Sequence, residues 1–230
     1  MHALQLKLLT RAVHRWLSFQ RMCGRSMVFS ESYLCQPIAE FISYRHSGKI
    51  HPELNHPAFA GLSRGRPKQV DFALLTPNTE DVECVIESKW IRDTPYSKQA
   101  ILDDLLRLEC FRNPNRHVTR YFLVGGLLNN FDSNFSRLRY RDAGTNLDFT
   151  TKLLDFTFPA APKIIDVYAS TGAMRKFYRK FHADYSTEIP TKFKTTLVSR
   201  SRIDGIAVYL WKIESTRNRQ LFSPRPAREA

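Results

Sequence analysis

The sequence predicts a single α/β domain with a mixed central β-sheet flanked by helices. Three observations predict it. Residues 68–75 and 82–90 read as two short apolar strands joined by Thr76-Pro77-Asn78-Thr79-Glu80-Asp81, which carries turn chemistry. Residues 94–110 read as a helix, and residues 120–126 form a buried strand after it, so strand, helix and strand make a parallel crossover. Residues 195–200 and 206–211 alternate as strands, and Asp204-Gly205 between them favours a hairpin turn.

Residues 1–29 form a basic amphipathic segment, with Leu4, Leu8, Leu9, Val13, Trp16 and Leu17 on one side and Lys7, Arg11 and Arg15 opposite. Arg-rich and free of acid, it is like an organelle transit peptide in composition. A helix packed on the domain, or an extension upstream of a start at Met27, is preferred to targeting. Ser30 is the expected N-cap of the next helix, whose stripe is Leu34, Ile38, Phe41 and Ile42. Pro37 inside it argues for a start nearer Gln36. An irregular strand over 50–56 contains Pro52 and Glu53, and His51 and His56 read as surface or structural side chains.

Thr94-Pro95 supplies an N-cap and first-turn proline for the helix carrying Ile101, Leu102, Leu105, Leu106 and Leu108, with Asp103 and Arg107 spaced as an i,i+4 pair. Further on, residues 127–138 and 164–183 read as helices, the first ending in Arg137, Arg139 and Arg141. The second interleaves Arg175, Lys176, Arg179 and Lys180 with Phe177, Tyr178 and Phe181. That pattern suits phosphate contacts with base stacking, or equally an amphipathic helix with docked aromatics and solvated cations. The domain spans 30–220, and residues 221–230 are expected to be a disordered tail.

The chemistry concentrates in the first hairpin. Side chains alternate along a strand, so Glu87 and Lys89 share a face with Val85, while Cys84, Ile86 and Ser88 face the other way. On the preceding strand Val70, Phe72 and Leu74 share a face, leaving Asp71 on the opposite one, beside Glu87 and Lys89. Charges on an apolar sheet are costly unless paired or bound to metal. Hard carboxylate oxygens suit Mg²⁺ or Mn²⁺, and a neighbouring ammonium can offset charge on a phosphate transition state.

Asp71 followed on the next strand by Glu87-Ser88-Lys89 resembles the PD-(D/E)xK, restriction-endonuclease-like phosphodiesterase superfamily. The resemblance implies an α-β-β-β-α-β core. It implies that Asp71 and Glu87 bind Mg²⁺ or Mn²⁺ and that Lys89 assists the nucleophile. Glu40 on the first domain helix and Gln99 on the helix after Lys89 correspond to positions from which members add a further site residue; Glu53 ranks below Glu40. Val70 stands where the family name has proline, a position at which members vary.

Charge is distributed in keeping with this. The chain carries +13 overall. Residues 1–30 and 111–230 are strongly basic, whereas residues 31–110, which hold the proposed site, are slightly acidic. An acidic centre inside a basic surface fits an enzyme that holds a polyanion. No apolar run approaches the ~18 residues of a membrane span, and the four cysteines lack metal-ligand spacing, as in a cytoplasmic protein with reduced thiols. The expectation is a Mg²⁺-dependent nuclease, most readily an endonuclease on DNA rather than RNA. It would work without a membrane, as a homodimer or a subunit of a larger complex. The alternative is a nucleic-acid-binding protein on the same fold without catalysis.

Overall fold

Alternating apolar residues build one sheet whose two faces are covered by helices. A computed structural model describes residues 3–59, 68–93, 98–113, 116–135, 139–140, 151–152, 154–167, 172–185 and 187–224. In chain order these contain α1 (Ala3–Met22), α2 (Glu31–Arg45), β1 (Ile50–Asn55), β2 (Gln69–Leu75), β3 (Val82–Ile91), α3 (Lys98–Cys110) and β4 (Thr119–Leu127). A helical turn α4 (Leu128–Asn130) runs into a π-helical turn (Phe131–Phe135), followed by the two-residue strands β5 (Arg139–Tyr140) and β6 (Thr151–Lys152). Then come β7 (Lys163–Asp166), α5 (Gly172–Tyr185), β8 (Ile189–Pro190), β9 (Lys192–Ile203), β10 (Ile206–Ser215) and β11 (Leu221–Phe222).

The central sheet is mixed and seven-stranded, in the order β1-β2-β3-β4-β10-β9-β7. Only β3 and β4 pair in parallel, joined by α3; the other neighbours are antiparallel. The run α2-β1-β2-β3-α3-β4 reproduces the expected α-β-β-β-α-β order. One apolar cluster packs α1 and α2 on one face through Leu9, Val13, Leu17, Leu34 and Ile38 against Phe72, Ile86 and Leu210. The other packs α3 and α5 on the opposite face, through Leu102, Leu105, Leu106 and Phe181 against Val85, Phe122 and Trp211. The N-terminal helix is therefore part of the folded layer, with Leu9, Val13 and Leu17 fully buried.

Several expectations need correction. Helix α2 begins at Glu31, where Ser30 accepts a hydrogen bond from the Tyr33 N–H at 3.2 Å, and it continues through Pro37. Proline removes one intrahelical donor, and its burial among the helix's core residues offsets that loss. Val70 joins the α3-side cluster, not that of Phe72 and Leu74. The alternation breaks around Asp71, whose position across β1 is Glu53, a residue with φ +52 that interrupts the β1–β2 register. Gly125 and Gly126 lie within β4, and a Cβ on Gly125 would lie 3.3 Å from the Trp90 ring.

Residues 164–166, expected to be helical, lie with Lys163 in β7 beside β9, because the β-branched Ile164 and Ile165 suit a pleated surface. Arg139 lies in β5, and the remainder of 136–138 with Arg141 lies outside the described residues. Leu221 and Phe222, expected in a disordered tail, pair with β8. The proposed cap Thr94-Pro95 also lies outside the described residues.

Candidate active site

The ladder between β2 and β3 pairs Phe72 with Ile86 and goes no further in that direction. Beyond that pair come Asp71 and Glu87, at a fork where the two strands part. A fork leaves backbone groups without ladder partners, and polar side chains supply them. Asp71 Oδ2 accepts from the Ser88 N–H at 2.7 Å and from the Ser88 hydroxyl at 2.6 Å. On the other side Arg107 donates to the Gln69 carbonyl at 3.2 Å.

Glu87 projects toward α3 and is 5% exposed. Its Oε1 accepts from Arg107 Nη2 at 2.8 Å, and the same nitrogen donates to Asp104 Oδ1 at 2.6 Å. Arg107 Nε donates to Asp103 at 3.2 Å, the i,i+4 pair expected from the sequence. Glu87 Oε2 is buried with no hydrogen-bond partner. Lys89 reaches both helical layers. Its Nζ lies 3.0 Å from Asp104 Oδ2 on α3 and 3.4 Å from Glu31 Oε2 on α2. The contact with Asp104 is an ion pair without hydrogen-bond geometry.

The electrostatics follow from burial. Desolvation pushes the Glu87 carboxyl up to about 8; Arg107 opposes that, while Asp71 and Asp104 add to it. Asp71 is raised by burial against the pull of its two Ser88 hydrogen bonds. Glu31 is also raised by burial, with Lys89 opposing. For Arg107 burial works against the charge, but Glu87, Asp104 and Asp103 outweigh it and hold the guanidinium above its ordinary value.

The fork thus gathers Asp71, Glu87 and Lys89, and adds Glu31, Asp104 and Arg107, which the sequence reading did not assign to the site. Glu40 is not among them: it is exposed and accepts from Gln36 at 3.1 Å, on the outer side of α2. Glu31, the first helical residue after the N-cap Ser30, takes the place on that helix expected for Glu40. Glu53 is exposed on β1. The side chains of Gln99, Arg175 and Lys176 lie outside the described residues. On α5 Arg179 and Lys180 are exposed, whereas Tyr178 and Phe181 are buried in the core and Phe177 is half-buried against it, so these aromatics are docked. His56 is structural, as expected. Its Nδ1 accepts from the Ala58 N–H at 3.2 Å, and its Nε2 lies 2.8 Å from the Arg107 carbonyl.

Among the described residues no group of three or more His, Cys, Asp and Glu side chains is arranged to hold a metal ion. Two carboxylates at the fork, one with an unpartnered buried oxygen, fit a cation such as Mg²⁺, which takes one or two carboxylates and keeps its other positions for water and phosphate. No helix among the described residues is long and apolar enough to cross a membrane. Comparison of the chain with protein-family models, with curated proteins and with solved structures found no match.

Proposed function

We propose that this chain is a divalent-metal-dependent phosphodiesterase of the PD-(D/E)xK type that hydrolyses nucleic acid, acting as an endonuclease on DNA. The observation that carries this reading is the fork itself. Asp71 and the Glu87-x-Lys89 pair stand on adjacent strands, and a buried Glu87 oxygen is left without a partner. Asp71 and Glu87 would hold Mg²⁺ or Mn²⁺, which when bound supplies Lewis-acid activation of water and neutralises phosphate charge. The Ser88 hydrogen bonds fix the Asp71 carboxylate in one rotamer. Lys89 is held between Asp104 and Glu31, and its positive charge would offset the negative charge that a phosphate gains on attack. Four free cysteines accord with a cytoplasmic setting.

A second reading, a nucleic-acid-binding protein without catalysis, is favoured by one observation. Arg107 already supplies the cation that neutralises Glu87 and Asp104. Incubating the purified chain with supercoiled plasmid in Mg²⁺, in Mn²⁺ and in chelator separates the two. Metal-dependent nicking supports the enzyme, and tight binding without nicking in either metal supports the binder.

A further inference from the structure

The buried face of α1 consists of Leu6, Leu9, Val13, Leu17 and their neighbours, so the residues opposite are fixed toward solvent. Along that outer face Lys7, Arg11, Arg15 and Phe19 follow one another at i,i+4 spacing, and all are exposed. Four residues of helix advance about 6 Å, so the three cations form a slowly winding row of evenly spaced charges. None of the three forms an ion pair among the described residues, and residues 1–30 contain no acid. The row ends in apolar surface: Phe19 is 56% exposed and Met22 80% exposed.

That end lies beside the first turn of α2. The Trp16 and Tyr33 rings are 4.8 Å apart, and the Tyr33 hydroxyl donates to Gln20 at 2.9 Å. Two residues before Tyr33 is Glu31, the partner of Lys89. The row therefore runs toward the side of the molecule on which the fork opens.

We propose that the outer face of α1 is a track for single-stranded nucleic acid, which lays its phosphates along Lys7, Arg11 and Arg15 and stacks an unpaired base on Phe19. The inference rests on the nucleic-acid reading above and names the substrate form. A row of unpaired cations is complementary to a polyanion. An exposed aromatic at its end selects an unpaired base, because stacking needs a free base face and a duplex hides its own. Among its described residues the α5 helix offers cations but no fully exposed ring, since Tyr178 and Phe181 are buried and Phe177 is half-buried against the core.

The test uses the full chain, a fluorescein-labelled oligothymidylate and a duplex of equal length, titrated in chelator over a range of salt. The triple variant Lys7→Gln, Arg11→Gln, Arg15→Gln should reduce the log–log salt slope for the single strand by about 2, at roughly 0.7 per phosphate contact. Phe19→Ala should weaken single-strand binding about tenfold and leave the duplex unaffected. All four positions face solvent, so circular dichroism should be unchanged. Unchanged affinity and slope in both variants overturn the track, as does an equal loss on duplex with Phe19→Ala. Plasmid nicking in Mg²⁺ is read on the same proteins. Nicking with α1-independent binding overturns the track and leaves the phosphodiesterase standing. Binding that depends on α1, without nicking by any protein, supports the track and removes the phosphodiesterase.

Discussion

Asp104 stands between two cations: one carboxylate oxygen lies 3.0 Å from Lys89 and the other 2.6 Å from Arg107. This single side chain ties the proposed helper of the nucleophile on β3 to the cation that neutralises Glu87. Replacing Asp104 by Asn keeps the shape and removes the charge that holds Lys89. Plasmid nicking should fall roughly tenfold or more, because loss of alignment in a preorganised site is expensive. Affinity in chelator should be unchanged, and Asp104→Glu should recover part of the rate.

Arg107 carries the largest structural responsibility at the fork, contacting Glu87, Asp104, Asp103 and the Gln69 carbonyl. Arg107→Met should lower unfolding free energy by about 3–5 kcal/mol, the usual loss when a buried ion pair is left with one partner. Urea melts of Arg107→Met and of the double variant with Glu87→Gln provide the check. The double variant should be more stable than the single one, because one of the buried carboxylates left without Arg107 has gone.

Glu87→Gln and Lys89→Ala should each reduce metal-dependent nicking by ~10²-fold or more, the scale for losing one preorganised charge. Binding in chelator should not fall in parallel, since phosphate contacts come from cations elsewhere. Equal nicking by wild type and both variants would place the activity outside the fork.

His56 makes a pH prediction. Burial, with Arg107 nearby, depresses its imidazole to about 4 from an ordinary 6.5, against the opposing hydrogen bond to the Arg107 carbonyl. Below pH 6.5 the unfolded chain binds a proton that the folded chain refuses until about pH 4. The His56 contribution to stability is therefore constant above 6.5 and declines as pH drops through that window, by about 3 kcal/mol in all. His56→Gln cannot titrate, so the stability gap between wild type and variant should narrow from pH 7.5 to pH 4.5. A gap independent of pH would show that His56 titrates alike in the folded and the unfolded chain.

Legibility in the sequence followed the range of the interactions. The β2–β3 hairpin was readable because Pro77 and Asn78 punctuate two alternating runs, and Asn78 does adopt the left-handed region at φ +63. Asp204-Gly205 likewise gave the β9–β10 turn, with both residues at positive φ. β7 is not legible as a strand, because Ile164, Ile165 and Val167 precede a genuine helix and a short apolar run has no period of its own to separate strand from helix. Within the site, Asp71, Glu87 and Lys89 lie on one local motif and could be named. Glu31 and Asp104 reach Lys89 from opposite layers, so their meeting is a product of tertiary structure. Asp104 did carry one signal: it sits on the apolar arc of α3, between the buried Ile101 and Leu108, where a carboxylate requires a partner.

The irregular backbone of β1 has a bearing on how the molecule avoids its own kind. β1 and β7 are the margins of the seven-stranded sheet, where unpaired amides invite a strand from another copy. At β1, Pro52 offers no amide and the left-handed Glu53 turns the next one out of line, while His51, Pro52 and Glu53 are all exposed. At β7 only four residues present an edge, and Lys163 and Asp166 bracket it with charge. The kink that accompanies Asp71 therefore also keeps intermolecular strand addition, and the fibrous aggregation that can follow from it, away from the side of the sheet that holds the fork.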